Sequence, residues 1–510
     1  MIRTTIVLLS VTFLFGSNIE EIPLLKWVDP HGSKPGTYEE WIKDHPYRPF
    51  SCLLNRVFQG DGHLGNVAIL TDQTIAPHLD TEIEQLAQFL TTEGYTVFDY
   101  QTSGGTPETL RTFLQQIYGT DSIEGALLIG NLPVAWFEVY DYGGGLVQFP
   151  MDLFYMDLDG NWLDTISTGN GRYDGHVGNT NLEIYVGRLL PTGIGLDTVV
   201  LRNYFAKNKS YREGTMNLQK RALVFVDDDW LSWAPIWAAD VALLFVDTTN
   251  YWHPETTRAS LYRTRLDTMQ TWVSVFAHSS PSVHQFTYNS GAQHDYYYAS
   301  EYTSQNPPTN FYNFFACSFC RYTQAGYGGG QAIFNEEFGI GAIGSTKSGS
   351  MLDFQFFYRP LGEQKTMGEA FRYWFDCIYD SIGMTLERIC WHYGMTLLGD
   401  PFLRPTGHST RIAENINDNL PSSFLSISNP VSDWVNISLQ LASAQHVELI
   451  VYDCLGRKLN TVYTGRLSAG NNHMQFSMKD KNDVPLPTGI YLLHAGIGTD
   501  VVVAKIVKIE

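Results

Sequence analysis

The chain has 510 residues. At roughly 150 residues per domain that is too long for one hydrophobic core, so two to four folding units are expected. Its composition is globular (44% hydrophobic, 14% aromatic, 17% charged), and its net charge of −20 argues against nucleic acid, which is bound largely through Lys and Arg contacts to phosphate.

At the N-terminus, Arg3, the apolar run from Ile6 to Phe15, and Gly16-Ser17 have the order of a secretory signal over residues 1–17, too short to span a bilayer. No later run is long enough to anchor the chain. Residues 18–62 lack a period and are expected to form an irregular lead-in. Over 63–215 the pattern becomes regular: strands at Val67–Leu70, Tyr95–Phe98 and Gly125–Gly130 alternate with helices at Leu79–Thr92 and Pro107–Tyr118. A second series over 216–407 has strands at Ala222–Val226, Trp272–Ala277, Phe311–Ala316 and Gly341–Gly344 and a helix from Thr366 to about Ile378. Such alternation builds right-handed βαβ units, predicting an α/β fold with an open, mostly parallel sheet in two adjacent halves. Residues 408–423 are polar and aperiodic, a linker. Over 424–510 short alternating strands with turn signals predict a small all-β, Ig-like sandwich.

Two of the buried runs stop at a reactive side chain, Ala277-His278 and Ala316-Cys317. Ligands of open α/β sheets bind beyond the carboxyl ends of the strands, where residues distant in sequence meet. A thiol and an imidazole there could act as nucleophile and base. Cys320 keeps two other readings open, a structural or redox pair with Cys317 and half of a metal site, although Cys377 and Cys390 stand alone in helical patterns. His284 rivals His278, and Ser279 and Ser280 offer backbone donors for an oxyanion. The string Asp157-Leu158-Asp159-Gly160-Asn161 suggests calcium through Asp157 and Asp159, with an Asp-Gly hairpin turn as the alternative; it is not an EF-hand, since Trp162 and Thr168 occupy the required Gly and Glu positions. Asp227-Asp228-Asp229 reads as a helix N-cap before it reads as a metal site.

These strand ends, with Ala126–Pro133, Met151–Gly160, Glu183–Leu189 and Leu398–Leu403, resemble the caspase, legumain and gingipain group of cysteine peptidases, and the gingipain (C25) family in particular, over about 66–405. The resemblance implies a caspase-like sheet, attack by Cys317 on a peptide carbonyl, proton delivery by His278, and an oxyanion held by the N–H groups of Cys317 and Ser279. It also implies that Asp152 lines S1 and favours a basic P1 residue, where the local alternative is a strand-end Asp satisfied by backbone N–H groups, that calcium has a structural place, and that the chemistry needs no cofactor. The chain departs from the family pattern at Ser279, where that pattern has glycine. The terminal domain resembles the sorting domain of type IX secretion cargo through Asn429–Asp433, Val451–Arg457, Leu486–Leu493 and Lys505–Lys508. Together these imply a secreted or surface-attached endopeptidase of a Gram-negative bacterium, whose partners are polypeptide substrates and the secretion machinery. A different class fits the missing glycine and the tyrosines from Tyr288 to Tyr302: an inactive peptidase-like fold serving in surface binding or adhesion.

Overall fold

The computed structural model describes residues 19–141, 145–216, 219–383, 385–408, 423–427, 431–441, 443–453, 457–481, 484–497 and 500–508. The expected signal segment, residues 1–17, and most of the expected linker, 408–423, lie outside them. The chain divides into two compact units, up to Arg411 and from Ile412.

The first unit is built on one 13-stranded sheet. Its strands in chain order are β1 (Ser51–Phe58), β2 (Asn66–Asp72), β3 (Thr96–Ser103), β4 (Ile123–Ile129), β5 (Tyr185–Leu189), β6 (Ala222–Val226), β7 (Thr248–Tyr251), β8 (Gln270–Ser280), β9 (Val283–Tyr288), β10 (Gln293–Tyr298), β11 (Thr309–Ala316), β12 (Gly341–Ser345) and β13 (Met395–Gly399). In space they run β1-β3-β2-β4-β5-β13-β12-β11-β8-β6-β7, with β9 and β10 as a hairpin extension of β8. Strands β2, β4, β6, β8, β11 and β12 are buried almost throughout, as expected where helices cover both faces of a parallel sheet.

The two predicted halves form this single sheet. β13 pairs parallel with β5 and antiparallel with β12, so the parallel strands of the two halves run in opposite directions. Their carboxyl ends therefore lie at opposite edges, and His278 and Cys317 share the edge of the second half. Residues 19–62 contain more regular structure than expected. They contain a helix, Tyr38–Asp44, closed by a Thr37–Glu40 capping box, and β1, an antiparallel edge strand. Edge strand β1 is nowhere fully buried and lacks an apolar alternation, which is why no period announces it.

The second unit has a three-stranded sheet and a four-stranded sheet. The strand pairs are antiparallel, and inward-facing Val435, Ile437, Leu439, Val447, Leu449, Val451 and Leu493 form its core.

Candidate active site

β8 and β11 are parallel neighbours in which Ala277 stands opposite Ala316. This register brings His278, within β8, and Cys317, the first residue after β11, to the same end of two neighbouring strands. Both are buried. All described cysteines are free, Cys317 and Cys320 included, so these two are not a disulfide. Cys320 lies against Gly329 and Gly344, where an added Cβ would come within 2.7 Å of its sulfur. It is a core residue.

The imidazole of His278 is held from both sides. Nε2 lies 2.6 Å from Asp229 Oδ2, and Nδ1 accepts the backbone N–H of Lys26 at 3.1 Å. The ring therefore carries its proton on Nε2 and its lone pair on Nδ1, the tautomer a general base needs. Asp229 belongs to the acidic string after β6, where Asp227 does cap the turn by accepting Asp229 N–H. That capping leaves the Asp229 carboxylate free to orient His278, a role the string does not announce. The His278 bond holds the Asp229 carboxyl below its usual range, whereas burial draws His278 below its own despite Asp229. The two directions differ because the ring is nearly enclosed and the carboxylate is half open, and we take the site to hold a neutral imidazole beside a carboxylate. Burial also pushes the Cys317 thiol up, opposed by the Ser348 hydroxyl 2.9 Å from the sulfur.

The lead-in covers this edge. Lys26 and its neighbours run parallel to the end of β8: Ser279 N–H donates to Lys26 O (3.3 Å) and Val28 N–H donates to Ser279 O (3.2 Å). Trp230, whose ring lies 4.7 Å from that of His278, donates its indole N–H to Pro23 O at 2.8 Å. Ile22 and Leu25 are buried in the core. The N–H expected to hold an oxyanion is thus engaged by a carbonyl, and the expected base by an N–H. Ser279, the departure from glycine, turns its hydroxyl inward to His284 Nδ1 at 2.7 Å, so its side chain does not fill the cleft. His284 stacks on Phe319 at 3.7 Å and is structural.

Asp152 is not in a pocket. It is 1% exposed and pairs with Arg188 through both oxygens, Nε to Oδ1 at 3.0 Å and to Oδ2 at 3.1 Å and Nη2 to Oδ1 at 2.7 Å. Tyr322 and Thr396 hydroxyls complete its shell. A carboxylate so occupied has nothing left for a substrate cation, which corrects the S1 expectation. The calcium expectation also meets a different arrangement. Asp157, Asp159 and Glu183 bring carboxylate oxygens within 4.8 Å of one another, but Asp157 accepts from Gly160 N–H and engages His176, and Glu183 accepts Leu158 N–H. The loop carbonyls of Asp157, Leu158 and Gly160 go to Arg111 and Gln115. Arg111, 3.8 Å from Asp157, brings a positive charge to the same loop. The tyrosines between Tyr288 and Tyr302 are not an exposed patch. Tyr297 and Tyr302 are fully buried, and Tyr302 bonds Tyr262 at 2.7 Å.

Among solved structures the chain is similar to the complex of RgpB pro- and mature domains from Porphyromonas gingivalis, at 12% identity, covering 87% of this chain and 100% of that one, with a TM-score of 0.47. It is also similar to dimeric latent PorU of the same organism, at 12% identity, covering 87% of this chain and 43% of that one, with a TM-score of 0.29. No curated protein matches. The model of the secretion system C-terminal sorting domain matches residues 428–510, which marks the chain for type IX export to the cell surface or beyond, and no described helix is long and apolar enough to cross a membrane. The model of peptidase family C25 matches residues 65–406, and the chain belongs to that family.

Proposed function

We propose that this exported member of a cysteine peptidase family is an endopeptidase working through Cys317, His278 and Asp229. The observation that carries the reading is the ring of His278, fixed by Asp229 with its lone pair on Nδ1, at the same sheet end as Cys317, which directly follows the adjoining parallel strand. His278 Nδ1 takes the thiol proton and the thiolate attacks the peptide carbonyl. The N–H groups of Ser279 and Cys317 receive the oxyanion, and His278 returns the proton to the leaving amine. Water then hydrolyses the acyl-enzyme by the same route. No metal enters these steps, and no basic P1 preference is assigned, because Asp152 is committed to Arg188.

Substrate can reach this site only when residues 22–28 leave it, since Lys26 occupies both His278 Nδ1 and Ser279 N–H. That occupancy is the one feature favouring the inactive, surface-binding reading. An electrophilic peptidyl probe separates the two. Labelling of Cys317 and loss of amide hydrolysis in Cys317→Ala are expected; a chain that opens yet neither reacts nor cleaves would establish the binding role.

A further inference from the structure

Two buried cations, Lys347 and Arg321, act on the surroundings of Cys317. Lys347 is 3% exposed. Its ammonium donates to the carbonyls of Ser348 and of Cys390, the latter at 2.5 Å, and pairs with Asp141 at 3.3 Å. Arg321 is 1% exposed and donates to the carbonyls of Thr346, Gly36 and Gln148, while its Nε finds no acceptor among the described residues. None of the Arg321 bonds goes to a carboxylate. The loop that carries Lys347 also touches the nucleophile: Ser318 N–H donates to Lys347 O at 2.9 Å, and the Ser348 hydroxyl lies 2.9 Å from Cys317 Sγ. Burying a cation against neutral partners is costly unless an anion forms beside it.

We propose that Lys347 is a positioning residue for Cys317: it holds the Ser348 hydroxyl against the sulfur and, with Arg321, supplies buried positive charge that favours the thiolate, while Asp141 limits that charge. The proposal rests on Cys317 being the nucleophile. The electrostatics agree in sign. Burial raises the thiol, Ser348, Ser318 and Lys347 draw it down, and Asp141 raises it. Burial lowers Arg321 to about 10, and the neighbouring Cys317 works against that lowering. The other groups here are Cys390, which faces Lys347 and Asp141, His392 behind Lys347, kept neutral by burial, and the His278–Asp229 pair at the strand end.

The test is the pH dependence of iodoacetamide alkylation of the full chain, followed by mass spectrometry on the Cys317 peptide. Alkylation reads the thiol whether or not the chain cleaves peptides, so it fails or succeeds independently of the peptidase reading. Lys347→Met should slow alkylation at pH 7 about tenfold and move its midpoint upward, and Lys347→Arg should restore it. Asp141→Asn should move the midpoint downward. This opposite shift is one that general loosening of the loop would not produce, and it carries the test if Lys347→Met does not fold. A midpoint unmoved by Lys347→Met, or one that stays or rises in Asp141→Asn, overturns the proposal.

Discussion

Replacing Lys26 by proline would remove a single donor from the closed edge. The Lys26 side chain is exposed, so the residue acts on the site through its backbone N–H on His278 Nδ1 and its carbonyl on Ser279 N–H. Proline lacks the N–H and puts ring carbon where that hydrogen lay, while its bias of Leu25 toward extended geometry suits the strand-like path. One neutral hydrogen bond contributes about 1 kcal/mol net, so the closed state should lose between about five- and tenfold in population. Leu25→Ala should act further through its lost core contact, by about 2 to 5 kcal/mol. Lys26→Ala keeps the N–H and should change nothing. The assay is kcat/KM on a fluorogenic peptide mixture, together with the rate of Cys317 alkylation. If Lys26→Pro and Leu25→Ala both still fold, yet neither gains activity nor alkylates faster, the segment does not gate the site.

Cys317→Ala should abolish amide hydrolysis, whereas Cys320→Ala should retain most of it, because Cys320 contributes packing and not chemistry. Asp229→Asn should lower kcat/KM by about a hundredfold or more. It should also shift the acid limb downward, since Asp229 favours the protonated ring and its loss weakens the base. Asp152→Asn should destabilise the body by about 3 to 5 kcal/mol, read by denaturant melting, and leave P1 selectivity unchanged. Glu93, held down at about 2 mainly by the charge of Arg212, should contribute about 3 kcal/mol of stability that is full above the ordinary Glu range and lost as pH falls toward 2; Glu93→Gln should flatten that acid limb of the melting curve.

Much of this architecture was legible because buried parallel strands read as unbroken apolar runs. Trp272–Ala277 and Phe311–Ala316 announce both themselves and the residues at which they stop. Their register, Ala277 opposite Ala316, then brings His278 and Cys317 to the same sheet end without special geometry. Asp229 was harder to see because its string already has a sufficient local account in the Asp227 cap. Asp152 misled for the opposite reason: it matches a motif, but its charge is consumed by Arg188, in a strand 36 residues further along. No local pattern specifies that partner.

The contact over the site leaves least trace in the sequence. Lys26 meets His278 and Ser279 through an N–H and a carbonyl, which any residue but proline would present equally well, so the type of side chain at position 26 carries no information about the contact. Alanine substitution at Lys26 leaves both groups in place. What the sequence does constrain is the pair of buried anchors, Ile22 and Leu25, that keep this backbone against β8. A gate built this way is invisible to a search for catalytic side chains, and only changes to the main chain or to its two apolar anchors can report on it.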